Sequence, residues 1–409
     1  MARRVGIVGA TAIGAGSMLG AGVFVVWGPA YAAAGDALAW AVLLAGMVAA
    51  LNAGSTAQLA AVHPVAGGAY AFGRAELGPW PGFLAGIGFV VGKTASIAAI
   101  ALAVGRYLAP GHAPLVATAA VVASWALNSR GITRTAAASV VLASAVIAAI
   151  VAAVVAVAGG PEAGGATFGW STPWDDAVGI AQAAALVFFA FAGYARIATL
   201  GEEVREPART IPRAIGVALA IAAALYGALA LVLPRALGPA LADATAPVAD
   251  AVAGTWLPVG VVTAAAVAAA FGSLLALTAG VGRTSMAMAR ERDLPGVLAR
   301  ENGRGVPALA EGASCGAAVA LVWAGDLPFA IAMSSFAVLL YYAVANAAAF
   351  RAAGADHVAG WRMPRAASAL GAVACVVLMA SLPVVPVACA AALLALLAAG
   401  RAVIRRART

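Results

Sequence analysis

Apolar stretches of membrane-spanning length recur along this chain, and they constrain its fold more than any motif does. Twelve are readable, over residues 5–33, 37–62, 81–108, 113–129, 134–158, 176–201, 212–235, 257–290, 307–325, 328–350, 367–384 and 386–404. Most reach the roughly 20 residues an α-helix needs to cross a hydrocarbon core of about 30 Å. Lipid offers backbone N–H and C=O groups no partner, so each stretch is expected as a helix that bonds its own backbone. Composition agrees: 64% of the 409 residues are apolar and 10% charged, with mean hydropathy +1.00. A soluble domain carries roughly 25% charged residues, so this surface is suited to lipid. The first run follows Met-Ala-Arg-Arg as a signal peptide would. It is longer than an h-region and similar runs follow, so it reads as a retained span.

The basic residues orient these spans. With a cytoplasmic N-terminus, 21 of the 24 Lys and Arg fall on cytoplasmic segments, from Arg3 and Arg4 to Arg401, Arg405, Arg406 and Arg408. Arg106 and Arg235 fall on the far side, and Lys93 lies inside a span. A wrong helix count would mix the two sides, so the bias supports the count and a multi-pass protein with both termini cytoplasmic. The net charge of +8 follows from this bias and from anionic headgroups, and implies no nucleic-acid partner. Cys315, Cys375 and Cys389 all fall in spans without metal-ligand spacing and read as small packing residues. His63, His112 and His357 form no cluster. The abundant Ala and Gly favour close helix approach, and one Lys against 23 Arg matches the coding bias of a GC-rich bacterium.

The first span contains "GSMLGAGVF", with Gly16, Gly20 and Gly22, each costing a helix about 1 kcal/mol relative to alanine. The sixth span has a matching weak point, Gly193 after Phe189-Ala190-Phe191-Ala192. Spans one and six are an odd number of helices apart, so two five-helix units starting there are oppositely oriented, as in an inverted repeat. Interrupted helices at corresponding places in two such halves point to a transporter's binding site.

At these residues the chain resembles amino acid permeases of the amino acid–polyamine–organocation (APC) superfamily, over nearly its whole length. "GSMLGAGVF" is similar to the superfamily's Gly-rich break. "FFAFAGYARIATLGEEVREPARTIPRAI" resembles its sixth helix and following loop, including Glu203, Pro207, Pro212 and Arg213. "GRTSMAMARERDLP" resembles the end of its eighth helix, and "PVAGGAYAFGRAELGPWPGFLAG" the entry into its third. The resemblance implies an all-α integral membrane protein of twelve transmembrane helices with a 5+5 inverted repeat and discontinuous helices 1 and 6. The first repeat would occupy 1–158 and the second 176–350, with two peripheral helices over 367–404. It also implies that Phe189 gates the site from outside and that Leu277 and Thr278 occupy a pocket position in the eighth helix.

Unwinding near Gly20-Ala21-Gly22 would free the N–H groups of about Ala21, Gly22 and Val23, which suit a carboxylate at a positive helix end. Carbonyls near Ser17 and Met18, with those near Phe189 and Ala192, would accept from an ammonium. The two cradles together would recognise a free amino acid, with Phe191 and Tyr194 as further candidates. The alternative readings are that the glycines only allow close packing and that Phe189 and Phe191 are core aromatics. A nucleotide-binding reading of "VGIVGATAIGAG" fails, because the run continues apolar and the next acidic residue is Asp36. A transport-fold amino acid sensor remains a second alternative.

The expected function is secondary transport across the cytoplasmic membrane by alternating access, without cofactor, metal, covalent chemistry or an obligatory protein partner. Proton-coupled import is preferred over exchange, and sodium coupling is disfavoured by the expected lack of a membrane-embedded carboxylate. The lack of an acidic pocket side chain favours neutral substrates. Lys93, in "GFVVGKTASIAAIAL", is the proton-coupling candidate, because ionisable groups at such depth are costly and can lose and regain a proton. Some relatives carry a lysine in the fifth helix where this chain has Val146. The plainer readings of Lys93 are a helix tie to backbone carbonyls and a snorkelling side chain.

Overall fold

The computed structural model describes residues 5–20, 22–63, 67–131, 136–160, 176–198, 204–352 and 362–406. Among these residues all regular structure is helical, apart from one isolated bridge between Val5 and Val204. The first span becomes α1 (Ile7–Met18), α2 (Gly22–Val25) and α3 (Trp27–Ala34), and the second becomes α4 (Leu38–Val62). A short α5 (Gly68–Leu77) precedes α6 (Pro79–Leu108), followed by α7 (Ala113–Ser129) and α8 (Ala136–Ala158). The sixth span is split into α9 (Ala177–Phe191) and α10 (Ala195–Ala198), after which come α11 (Pro207–Leu237), the short α12 (Pro247–Val252) and α13 (Val259–Arg290). The chain ends with α14 (Ala308–Ala324), α15 (Leu327–Ala352), α16 (Arg365–Ser381) and α17 (Val384–Arg406).

Ten helical segments among the described residues are long and apolar enough to cross a membrane, while α14 and α16 are shorter apolar helices of 17 residues each. Exposed valines and leucines such as Val141, Val178, Val384 and Leu396 face outward, as expected where the surrounding solvent is hydrocarbon. Element ends follow local chemistry. Gly78 takes φ 104° between α5 and α6, a backbone that L side chains avoid, and Pro79 then opens α6 where its missing N–H costs nothing.

The enclosed centre is α6, which packs against α7, α13, α14 and α15. The eleventh span, α16, packs one face on α4, α9 and α15, burying Ser368 and Cys375, and exposes Leu370, Val373, Val376 and Val377 on the other. Small residues on both sides allow this: a Cβ on Gly371 would sit 2.7 Å from Asn346 Oδ1. Cys389 differs from the other two cysteines in being exposed.

One helix end is fastened by buried charge. Arg401 of α17 donates to Asp293 Oδ1 at 2.7 Å, and Arg74 Nη1 (3.0 Å) and Tyr70 Oη (2.9 Å) of α5 donate to Asp293 Oδ2. The Arg401 guanidinium lies over the Trp80 and Phe83 rings, 4.3 and 4.5 Å from their centroids. Burial, with the Asp293 charge beside it, raises the Tyr70 hydroxyl above its ordinary value, so it stays a donor.

Candidate functional site

The two interruptions meet. Bends at Leu19 and Gly20 end α1, and Ala192-Gly193-Tyr194 form a turn between α9 and α10. A Cβ on Gly193 would lie 2.5 Å from both Met18 N and Ser17 O, so this glycine sits directly on the Ser17–Met18 peptide. A Cβ on Gly22 would lie 3.0 Å from Ala190 Cα and 3.2 Å from Phe189 Cε1. Glycine at both positions lets the breaks approach main chain to main chain. Gly14 and Gly20 complete the contact, facing Ile197 and the Ser273 hydroxyl.

A broken helix leaves peptide groups that lipid cannot satisfy. Several of the carbonyls at these breaks are met by side chains from neighbouring helices. Tyr226 of α11 donates to Met18 O at 2.6 Å and lies 3.2 Å from Ala190 O, within reach of both interrupted helices. Tyr107 of α6 donates to Phe24 O at 2.8 Å, and Trp27 Nε1 to Val23 O at 2.6 Å. On the amide side, Gly22 and Val23 open the first turn of α2 and have no acceptor within the helix. The bond from Val26 N to Gly22 O (3.1 Å) and that from Ala30 N to Val26 O (3.1 Å) carry α2 almost continuously into α3, so the helix dipole behind those amides is longer than four residues.

Lys93 reaches the second break. It lies fourteen residues after Pro79, about 21 Å along α6 at 1.5 Å per residue, and is buried. That position excludes snorkelling. Its Nζ donates to Ala192 O at 3.3 Å, and the Tyr342 hydroxyl of α15 shares that oxygen at 3.5 Å. Both the tie and the coupling readings thus acquire the same geometry, an ammonium on a carbonyl of the interrupted helix. Val146 is buried in α8, and the Ser273 hydroxyl beside Gly20 has no hydrogen-bond partner among the described residues.

Of the residues expected from sequence, Ser17, Met18, Gly20, Gly22, Val23, Phe189, Ala192 and Lys93 lie at or against the two breaks. Ala21 lies outside the described residues, as does Glu203. Phe191 is a core aromatic, 4.7 Å from the Tyr226 ring centroid. Tyr194 is fully buried and stacks on Tyr342 at 5.2 Å. Thr278 turns its hydroxyl to Ser124 of α7 (3.4 Å) and Cys315 of α14 (3.9 Å), away from the breaks. One expectation is corrected outright. A carboxylate does lie inside an apolar stretch: Glu311 of α14 is buried against Gly282, with Oε2 unpartnered. It falls within the stretch 307–325 and in the first turn of α14, where the sequence alone does not tell whether a carboxylate meets protein or water. Tyr226, Tyr107, Trp27 and Tyr342 were missed too. Their only signal is a polar-tipped aromatic in an apolar run, as in "AAALYGALAL".

Ten apolar helical segments of spanning length among the described residues, two of them interrupted and joined at their breaks, together with the relatives below define the class: a multi-pass membrane transporter, not an enzyme. Comparison supplies the family. The chain belongs to the amino acid permease family, which matches residues 5–397. It is 47% identical to an uncharacterised transporter of Mycobacterium tuberculosis, over 93% of this chain and 86% of the relative. It is 29% identical to a vacuolar cationic amino acid transporter of Arabidopsis thaliana, over 72% of this chain and 54% of that protein. A methylthioribose transporter of Bacillus subtilis is 26% identical over 73% of this chain and 70% of its own length.

Proposed function

We propose that this permease imports neutral amino acids together with protons by alternating access across a bacterial cytoplasmic membrane. The observation that carries the reading is the face-to-face packing of the two breaks, Gly193 on the Ser17–Met18 peptide and Gly22 on Ala190. The substrate carboxylate would bind the amides opening α2, about those of Gly22 and Val23. Its ammonium would lie among the carbonyls near Ser17, Met18, Phe189 and Ala192. Two charged termini held by oriented peptide groups give strong, directional bonds and leave the side chain to a separate pocket. Phe189, which lies against Gly22, would gate that pocket.

The preference for neutral substrates rests on where the charges lie. Among the described carboxylates, Glu311 faces Gly282 and Asp293 is bound by Arg74 and Arg401. At the second break the Lys93 ammonium lies on Ala192 O, with Arg196 in the short helix that follows; these cations would repel a cationic side chain, and Lys93 can carry the coupled proton. The helix order suits twelve spans in two inverted five-helix repeats, residues 1–158 and 176–350, with both termini cytoplasmic as the arginines imply.

The test is reconstitution in proteoliposomes with an equimolar 14C-labelled mixture of the twenty L-amino acids. A pH gradient that is acid outside the vesicles should drive accumulation above equilibrium, and single-compound competition should favour neutral amino acids. Counterflow without gradient-driven accumulation would identify an exchanger. Binding without counterflow would identify a sensor.

A further inference from the structure

Behind the second break lies a set of polar atoms that the substrate reading does not use. Asn52 of α4, Tyr194 of the break, and Tyr341 and Asn346 of α15 are all buried, and Asn52 Nδ2, Asn346 Oδ1 and the two tyrosine hydroxyls make no hydrogen bond of full geometry among the described residues. They are neighbours. Asn346 Nδ2 donates to Asn52 Oδ1 at 2.6 Å, and the Cys375 thiol of α16 reaches the same oxygen at 3.3 Å. The Tyr194 hydroxyl lies near Tyr342 and Asn52, and the Tyr341 hydroxyl near Tyr342, too poorly aligned to count as hydrogen bonds, and the Tyr341 and Tyr342 rings lie 4.2 Å apart. Each orphaned buried polar group costs about 1–3 kcal/mol. Packing alone offers no reason to gather four of them, since apolar side chains of similar size fill such a space at no polar cost. Buried water typically makes about three bonds to such groups.

The cluster has two ends. On one side, Tyr342 shares Ala192 O with Lys93. On the other, buried Ser55 and Gln58 continue the face of α4 at three-residue steps from Asn52. Ser55 bonds Ser368 at 3.2 Å, while Gln58 bonds Ala349 O at 3.3 Å and accepts from Met363 N at 2.8 Å. Polar groups therefore run from Lys93 to the Val62 end of α4, the cytoplasmic end in the orientation proposed above. The titratable groups along the path are Lys93, Tyr194, Tyr341, Tyr342 and Cys375.

We propose that ordered water joins this buried polar cluster between α4, α15, α16 and the second break, and that the cluster is the route by which Lys93 exchanges its proton with the cytoplasm. The proposal rests on the reading of Lys93 as the coupling residue. Protons pass by hopping: each water or hydroxyl oxygen accepts one proton and releases another, so only Lys93 changes charge. It also gives α16 a function, since Cys375 and Ser368 line one side.

Two measurements test this. The purified full-length protein is labelled by brief X-ray radiolysis in 18O-water, which marks residues beside bound water. Label on Tyr194, Tyr341 or Cys375, at least five-fold above that on buried Phe72, is expected. No such label overturns the ordered water, and this arm needs no variant to fold. In proteoliposomes with the labelled amino acid mixture, the paired variant Asn52→Leu/Asn346→Leu removes both amides together. Proton uptake driven by amino acids should fall at least ten-fold, while exchange at equal pH stays within about two-fold of wild type. Wild-type proton uptake in the paired variant refutes the route. Lys93→Met, run alongside, separates the failures. Loss of coupling there with none in the paired variant removes the route alone, and full coupling in Lys93→Met removes the coupling reading and the route with it.

Discussion

Replacing Gly193 by alanine adds one methyl group where the two breaks touch. Its Cβ would stand 2.5 Å from Met18 N and Ser17 O, against the roughly 3.5 Å at which non-bonded heavy atoms rest. The obstructing atoms are main chain and cannot rotate aside, so the breaks must part by about 1 Å. Overpacking of this kind costs about 1–3 kcal/mol, and roughly 1.4 kcal/mol is a ten-fold change in affinity. We expect binding of the best-stabilising amino acid, read by thermal shift and radioligand titration, to weaken about 10- to 100-fold in Gly193→Ala. Two other glycines calibrate the effect. A Cβ on Gly16 meets Ala143 at an ordinary 3.5 Å, so Gly16→Ala should bind within about two-fold of wild type and gain up to about 1 kcal/mol of helix propensity. Gly22→Val, pressed on Ala190 and Phe189, should abolish both binding and uptake while still inserting. Wild-type affinity in Gly193→Ala, or an equal loss in Gly16→Ala, would refute the argument that main-chain contact between the breaks builds the site.

Recognition should require both termini of the substrate: amidating the carboxylate or removing the amine should weaken binding more than about ten-fold, since a buried charge-assisted bond is worth about 1.5–3 kcal/mol. A decarboxylated amine that binds as well as its parent amino acid would defeat the two-cradle reading. Lys93→Met should lose gradient-driven, pH-dependent accumulation while retaining exchange, and full accumulation in that variant would return Lys93 to a purely structural role. Asp293→Asn should lower thermal stability by about 3–5 kcal/mol, because Arg401 is then buried without its counter-charge; Asp293→Leu/Arg401→Met should recover most of the loss, and an unchanged melting temperature in the single variant would show that the charge cluster does not fasten α17.

Helix positions and the two weak points were legible in the chain alone, because both are one-dimensional properties. Hydropathy over a stretch sets where lipid is tolerated, and glycine-weakened points at corresponding places in the first and sixth spans mark the breaks, whereas Gly86, Gly88 and Gly92 lie within the uninterrupted α6. Helix ends at Val62, Leu108, Ser129 and Ala158 match the expected spans within a residue. What caps the breaks was not legible. Tyr226 comes from α11 and Lys93 from α6, 208 and 99 residues from the atoms they meet. No periodicity in either helix tells which carbonyl a hydroxyl or ammonium will find. The same limit misled the sequence reading at Glu311, since whether a carboxylate near a helix start faces water depends on which neighbours pack against it. Hydropathy decides that a segment leaves water; only the tertiary contacts decide what it meets there.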